Sequence, residues 1–331
     1  MAASMIANLP LTCPDLREVR LDGLQRDLTT IRAVSQLVTA TRGTLRSFRV
    51  DCPLTQEATE ILYKSPHLCE ARTVIDGPIL LPPMELPNLT RMDIKFYHRR
   101  GWLQGFLGAS LRKLVWLSFR SESDSLSGFL EAFERVALTT SIPTTLSTFM
   151  FHTTHSWRPN YRSLLRFTHL TRLDIEFSCT PGCSSTIDDD IVTDLARALR
   201  KLEFLSLGGP PCGASTGVTV KGLCALAHYC PHLGYLRIHF QIPTFDPPET
   251  PILASSKPRE SCALTLLDVG HTQVPEESML VVALILLRIF PDLEDISYSH
   301  IGWEKVATAI YGSKEVVSCS SKDPTIHCTS T

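Results

Sequence analysis

The residues that could carry out chemistry in this sequence fall into short, isolated strings. Gly213-Ala-Ser-Thr-Gly217 matches the pattern of a nucleophilic serine flanked by two glycines. That chemistry requires the serine to lie on a sharp turn directly between a strand and a helix. Here residues 208–212, which are rich in glycine and proline, separate Ser215 from the preceding apolar segment. We therefore predict a loop at this position and no catalytic serine.

Metal binding is the second chemistry to consider. Cys179 and Cys183, or His152 and His155, could each donate to a metal ion, but neither pair has a second pair at the spacing of a zinc site. We interpret them as loop cysteines and surface histidines. No glycine cluster is followed by the lysine of a phosphate-binding loop. The sequence therefore predicts a protein that is not an enzyme and holds neither a metal nor a cofactor.

Composition limits the classes of partner. The 331 residues include 32 basic and 34 acidic side chains, which gives no reason to expect nucleic acid or an anionic membrane. The N-terminus lacks the features of a signal peptide. The longest apolar run, Met279 to Leu287, is far shorter than the ~20 residues of a membrane helix. Eleven scattered cysteines fit buried thiols in a reducing compartment, so we expect a cytoplasmic or nuclear protein.

Charge is distributed unevenly along the chain. Residues 91–120 carry seven basic side chains and one acidic side chain, Asp93, whereas residues 241–300 carry nine acids and three bases. In an elongated molecule these two blocks would stay apart, because charges separated by more than the Debye length of ~8 Å are largely screened from each other. We therefore expect two electrostatically distinct surfaces.

A short pattern recurs throughout the chain: an apolar residue, two others, an apolar residue, one other and a third apolar residue. Its first leucines run from Leu16 to Leu293, so ten intervals cover 277 residues and the mean period is 277/10, or 27.7. This period is typical of leucine-rich repeats. The copies are Leu16/Val19/Leu21, Leu45/Phe48/Val50, Leu68/Ala71/Thr73 (degenerate), Leu89/Met92/Ile94, Leu114/Leu117/Phe119, Leu146/Phe149/Phe151, Leu170/Leu173/Ile175, Leu202/Leu205/Leu207, Leu233/Leu236/Ile238, Leu264/Leu267/Val269 and Leu293/Ile296/Tyr298.

Segments between the copies have the apolar spacing of helices, namely 30–41, 55–64, 126–138, 188–199, 220–229 and 276–290. We therefore predict an α/β leucine-rich-repeat solenoid of about eleven irregular repeats, with a curved parallel sheet on the concave side and helices on the convex side. A strand-plus-helix unit cannot bury its apolar face alone, and stacking completes one long core. We assign residues 1–312 to this domain and predict a disordered C-terminal tail over 313–331.

The concave face of the sheet is the predicted site. Between the second and third apolar residues of each copy lies one outward side chain, and aromatic and charged residues lie beside it. Exposed arginine and aromatic residues on a rigid concave surface are typical of protein-binding sites. The candidates are Arg20, Arg49, Arg72, Asp93, Tyr97, Trp116, Met150, His152, Asp174, Glu176, Tyr235, Arg237 and His239.

Three segments carry a family resemblance. Residues 13–21 (CPDLREVRL), 223–238 (LCALAHYCPHLGYLRI) and 290–296 (FPDLEDI) resemble the repeats of fungal-type F-box/leucine-rich-repeat proteins. The resemblance covers roughly residues 10–310. It implies that the repeats hold the protein substrate of a cullin-type ubiquitin ligase. The F-box, which in that family binds a Skp-type adaptor, is not present in this chain, so we expect that adaptor only for a longer form.

Two alternatives remain open at this point. The chain could be a stand-alone repeat scaffold or inhibitor unrelated to ubiquitination, or a GTPase-regulating repeat protein. The latter would need a catalytic residue at a repeat edge, and the sequence singles out none. All three hypotheses place a protein partner on the concave face, with no nucleic acid and no membrane.

Overall fold

The structure is a computed structural model that describes residues 2–76, 86–97, 111–121, 145–153, 161–177, 187–208, 217–242, 262–270 and 272–320. Its eleven strands form one open sheet in chain order, and every pairing is parallel. The strands are β1 (Glu18–Leu21), β2 (Ser47–Pro53), β3 (Glu70–Ile75), β4 (Arg91–Phe96), β5 (Trp116–Ser121), β6 (Thr148–Thr153), β7 (Arg172–Phe177), β8 (Phe204–Leu207), β9 (Tyr235–Ile238), β10 (Leu266–Gly270) and β11 (Asp295–Tyr298). The predicted curved parallel-sheet solenoid is confirmed.

Helices connect the strands on the convex side. Within the described residues they are α1 (Ala2–Thr12), α2 (Leu28–Thr41), α3 (Gln56–Tyr63), α4 (Asp189–Ala198), α5 (Val220–Tyr229), α6 (Met279–Ile289) and α7 (Gly302–Ser320), with short 3-10 helices at Tyr161–Arg166 and Glu276–Ser278. Five predicted helical segments correspond to α2 to α6. The predicted helix over 126–138 lies outside the described residues.

Helices α1 and α7, at the two ends of the solenoid, were not predicted. Helix α1 packs along α2 and buries Ile6, so it supplies the convex layer ahead of the first strand. Helix α7 packs on α6, and its Trp303 is fully buried. Since α7 runs to Ser320, it enters the segment for which we predict a disordered tail, and residues 321–331 lie outside the described residues.

The register of the sheet follows the repeat at its second apolar position, with local register shifts between Arg49 and Pro53 on β2 and between Asp268 and Gly270 on β10. The second apolar residue of each copy pairs with its counterpart on the next strand, as in Val19 with Phe48, Phe149 with Leu173, and Leu267 with Ile296. Burial alternates along β4 in the same way, with Met92, Ile94 and Phe96 buried and their neighbours partly exposed. Each strand therefore presents one covered face to the helices and one open face to the concave side.

The covered face forms one continuous core. Three phenylalanines of neighbouring strands, Phe96, Phe119 and Phe149, contact in edge-to-face geometry with centroids 6.5 and 6.3 Å apart. Phe149 also stacks on Phe167, 6.5 Å away. All four rings are buried. Such aromatic pairs stabilise a core beyond their burial alone, so this ladder ties repeats four to seven together.

Buried cysteines link later repeats through their thiols. The Cys230 Sγ lies 3.6 Å from the Ala196 carbonyl oxygen, and the Cys262 Sγ lies 3.5 Å from the Cys230 carbonyl oxygen. Burial raises the pKa of Cys230 to about 12 and that of Cys262 to about 11. Both are therefore neutral thiols that donate to backbone carbonyls of the preceding repeat, as predicted for buried structural cysteines. Cys13, by contrast, is exposed, and Cys69 and Cys224 are only partly buried.

Neighbouring helices are joined by a carboxylate that caps across the repeat boundary. Asp188 caps its own helix α4 by accepting from the Ile191 backbone N–H at 2.9 Å. Asp189 instead reaches the start of α5, where it accepts from the Thr219 N–H at 2.8 Å, the Thr219 hydroxyl at 2.7 Å and the Gly222 N–H at 2.9 Å. A Cβ at Gly222 would lie 2.7 Å from the Asp189 Oδ1, so the glycine makes this approach possible.

Replacing Asp189 with alanine should lower the free energy of unfolding by about 2 kcal/mol, because a charged acceptor of three hydrogen bonds at the start of α5 is lost. Urea unfolding followed by circular dichroism measures the change. Asp190→Ala is the matched control: its side chain is 90% exposed and its oxygen is 3.9 Å from the Lys221 nitrogen, so its cost should stay below about 0.5 kcal/mol. Equal costs for the two variants would contradict the cross-repeat cap.

Candidate functional site

The open face of the sheet carries three rows of side chains. The central row contains the residue between the second and third apolar positions of each repeat, and consecutive members pair in register from Arg20 to Ser297. The leading row lies two residues earlier on each strand and includes Arg91, Trp116, Arg172, Phe204 and Tyr235. The trailing row lies two residues later and includes Lys95, Arg120, His152, Glu176 and His239. At ~4.8 Å per strand the face is on the order of 50 Å long.

Ion pairs cover the first strands of this face. Arg20 Nε lies 2.8 Å from Asp22 Oδ2, with both side chains exposed. Arg49 Nη2 lies 2.5 Å from Glu70 Oε2, and this hydrogen bond lowers the pKa of Glu70. A shallow cavity of about 490 Å³ lies over β1, β2 and β3 and is lined by both signs of charge. On β1 to β3, Arg20 and Arg49 therefore each lie close to an acidic side chain, and the opposite charges largely offset each other.

Arg72 continues the ion pairs to β4. Its guanidinium lies 3.1 Å from Asp51 on the preceding strand and 3.9 Å from Asp93 on the following one. The Asp93 side chain is only 14% exposed. On β1 to β3, Arg20, Arg49 and Arg72 are thus each paired with at least one acidic side chain.

Cations stacked on aromatic rings follow on β4 and β5. The Arg91 guanidinium lies 4.2 Å from the centre of the Trp116 ring. Tyr97, just after β4, has the Arg26 guanidinium 4.5 Å and the Lys95 Nζ 5.2 Å from its ring centre. We name Arg26, Arg91, Lys95, Tyr97, Trp116 and the exposed Arg120 the basic–aromatic patch. Its rings hold the long cationic side chains in place on the open face.

His152 lies at the centre of an ion-pair network on β6 and β7. Its Nδ1 is 3.1 Å from Glu176 Oε2, and its Nε2 is 3.6 Å from Asp174 Oδ2. Asp174 and Glu176 stabilise the protonated ring and raise the pKa of His152 to about 9. Burial alone would raise the pKa of Asp174, but the His152 ring, the Ser206 hydroxyl and Arg172 together outweigh it and the pKa is lowered. The network is therefore fully charged at neutral pH.

Arg237 extends this network to β10. Its guanidinium lies 3.7 Å from Glu176 and 3.3 Å from Asp268. The Tyr235 hydroxyl donates to Asp268 at 3.4 Å. Arg237 and Tyr235, both candidate site residues, are thus held by the acidic side chains of β7 and β10.

A stacked platform lies beside the network in the leading row. The rings of Phe204 and Tyr235 are parallel with centres 4.2 Å apart, and the Arg172 guanidinium lies 3.7 Å from the Phe204 ring centre. All three side chains are partly exposed. Arginine, phenylalanine and tyrosine thus form a rigid, flat surface that is open on the concave side.

His239 is held between two glycines of the flanking strands. A Cβ at Gly208 would lie 3.3 Å from the His239 ring, and one at Gly270 would lie 2.6 Å from it. Gly270 also has a positive φ of 52°, a conformation that side chains disfavour. The imidazole therefore fills a slot in the trailing row and is half-buried.

Parts of the central row are less accessible than a solvated strand face would be. Met150 and Arg237 are partly exposed, but Ser118, Ser206 and Asp174 are buried. Ser206 pairs in register with Asp174 and Arg237, so a short side chain lies between two longer ones. The open face therefore alternates raised arginine and aromatic side chains with recessed small residues.

The side chains of the open face provide charged groups, aromatic rings and hydrogen-bonding groups. In the part of the chain that the structure describes, no group of three or more histidine, cysteine, aspartate or glutamate side chains could hold a metal ion. Ser215, Cys179, Cys183 and His155 lie outside the described residues. No described helix combines the length and apolarity that crossing a membrane requires.

All thirteen candidate residues lie along the open face, and the structure joins six of them in pairs that the sequence did not specify. These contacts are Arg72 with Asp93, His152 with Asp174 and Glu176, and Arg237 with Glu176. Sequence reasoning missed Arg91, Arg172 and Phe204, although strand alternation places all three on the same face. Arg26 had no sequence signal, since it precedes α2 and reaches Tyr97 only through the fold.

Comparison with known proteins does not assign a family. No protein-family model matches the chain, and no curated protein matches it with significant similarity.

Proposed function

We propose that this chain is a non-catalytic protein-binding solenoid that holds its partner on the open face of the sheet. The observation that supports this proposal most directly is the pair of cation–aromatic contacts on that face. Arg91 stacks on Trp116, and Arg172 stacks on Phe204, whose ring in turn stacks on Tyr235. Arginine, tryptophan and tyrosine are enriched among the few residues that dominate the binding energy of protein interfaces. Because neighbours already restrain these side chains, a partner would lose little of its binding energy in ordering them.

The resemblance of the repeats to F-box/leucine-rich-repeat proteins supports a more specific proposal. In it the partner is a substrate of a cullin-type ubiquitin ligase, and a longer form with an F-box would bind a Skp-type adaptor. The alternative is a stand-alone scaffold or inhibitor that acts without ligase subunits. Recovery of a Skp-type adaptor with the protein from its native cells favours the first proposal, and a stable complex of this chain with its partner alone favours the second.

Capture from native cells with a tagged chain tests the proposed face. Tyr235→Ala combined with Arg237→Glu should weaken capture of the partner at least tenfold, because the pair removes a stacked ring and reverses a charge in the interface. Quantitative mass spectrometry of the captured proteins measures the loss.

Arg32→Glu provides the control on the convex side, since Arg32 is exposed on α2. It should leave capture of the same partner unchanged, and circular dichroism should show both variants folded. A partner that is lost with Arg32→Glu but retained by the Tyr235 and Arg237 variant would contradict binding on the open face.

A further inference from the structure

Among the described residues of the open face, basic side chains outnumber acidic ones on β4 and β5. On β4 and β5 the leading, central and trailing rows contain Arg91, Lys95 and Arg120 as cations and Asp93 as the acid. Asp93 is engaged by Arg72 of β3, and Glu70 on β3 accepts a hydrogen bond from Arg49 of β2. The acids of β3 and β4, Glu70 and Asp93, are thus both engaged by arginines of earlier strands. Among the described residues, the basic–aromatic patch as named contains four basic side chains and no acid.

The network on β6 to β10 has a different balance. With His152 protonated, the cations His152, Arg172 and Arg237 face the acids Asp174, Glu176 and Asp268. Three positive charges therefore meet three negative ones at contact distance. Among the described strands, the excess of basic side chains therefore lies on β4 and β5, with acids on β3 and β7 on either side.

We infer that the basic–aromatic patch binds an acidic peptide segment of the partner, an inference that rests on the proposed function. Carboxylates suit the site because the patch presents guanidinium groups of Arg91 and Arg120 on a partly exposed surface, and guanidinium binds carboxylate with paired hydrogen bonds. Stacking on Trp116 holds the Arg91 guanidinium in place before the peptide arrives.

The width of the patch favours a short acidic peptide over a nucleic acid. Two neighbouring strands span only about 5 Å between their axes, and the acids of β3 and β7 lie within about 10 Å of the patch on either side. A nucleic acid carries charge along its whole length and would pass over these acids, where repulsion acts at close range. A peptide with two or three adjacent carboxylates would not extend that far.

A labelled hexaglutamate peptide tests the inference by fluorescence anisotropy in 50 mM salt. The native chain should bind it, and the double variant Lys95→Glu with Arg120→Glu should weaken binding at least tenfold. The matched control, Arg17→Glu with Arg32→Glu, changes the net charge by the same amount at exposed positions away from the patch and should stay within twofold of native. Melting curves should confirm that both variants fold.

Two further probes decide the chemistry. Hexalysine and hexaglutamine peptides should not bind, and a single-stranded oligonucleotide of twenty bases should bind more weakly than hexaglutamate. Equal loss in both double variants, or tighter oligonucleotide binding through the patch, overturns the inference. If hexaglutamate fails to bind while the Tyr235 and Arg237 variant still loses the cellular partner, the acidic-segment inference is wrong and the proposed function stands.

Discussion

Replacing Phe149 with alanine should lower the free energy of unfolding by about 3–5 kcal/mol. The ring is fully buried on β6 and contacts both Phe119 and Phe167, so its removal leaves a cavity in the middle of the core. In a solenoid each repeat is stabilised by its neighbours. The loss should therefore weaken the junction between the halves of the sheet, which urea unfolding followed by circular dichroism would record as a lower midpoint.

Met150→Ala is the matched control for this prediction. Met150 is the next residue on the same strand, and it lies partly exposed in the central row of the open face. Its truncation should cost about 1 kcal/mol or less, since little buried apolar area is lost. A larger cost at Met150 than at Phe149 would mean that β6 is turned the other way in the sheet.

Replacing His152 with glutamine should remove a pH dependence of stability near neutral pH. The pKa of His152 in the folded chain is raised from 6.5 to about 9 by Asp174 and Glu176. Its stabilising contribution is therefore fully present below pH 6.5 and is lost as pH rises through 9. The native chain should lose on the order of 2–3 kcal/mol over this range from His152 alone. The His152→Gln variant should lack that component.

Unfolding by urea at several pH values between 6 and 9.5 measures this slope. His67→Gln, at an exposed histidine far along the sheet, should keep the native slope. A ring titration of His152 by nuclear magnetic resonance supplies an independent readout, with an expected midpoint near pH 9. A midpoint at or below 6.5 would show that the two carboxylates do not hold the ring protonated.

The repeat made most of the fold predictable. Each copy carries its second and third apolar residues two positions apart, and this alternation fixes which face of the strand is buried. A slip of one residue would have turned a side chain such as Phe149 to the open face. The pairing of the second apolar residue of each copy could therefore be predicted from the leucine pattern, and the observed pairing from Val19 to Ile296 confirms it. The register shifts on β2 and β10 were not predicted.

Helix caps can be read from the sequence only in part. Thr55, a residue type that favours this position, caps α3 by accepting from the Ala58 N–H. At α4 three consecutive aspartates stand at the start of the helix, and the cap is Asp188. The role of Asp189 at the next helix depends on the distance between α4 and α5, which no local pattern encodes. Helix α1, which contains Pro10, also had no recognisable signal in the sequence.

The candidate site was predictable as rows of residues but not as contacts. Alternation placed Asp174 and Arg237 on the open face, yet the sequence could not show that Asp174 would be buried beside a charged His152. Such pairs join residues of different strands through side-chain conformations that depend on their neighbours. For the same reason, the stacking of Phe204 on Tyr235 could be recognised only from the structure.

Site-specific photocrosslinking in native cells tests most directly the claim that the open face of the parallel sheet holds a protein partner. p-Benzoylphenylalanine would replace Met150 at the centre of the face or, in a second chain, Gln36 on the exposed side of α2. We predict a crosslinked partner from position 150 and none from position 36. A partner crosslinked from position 36, with none from position 150, would contradict the account.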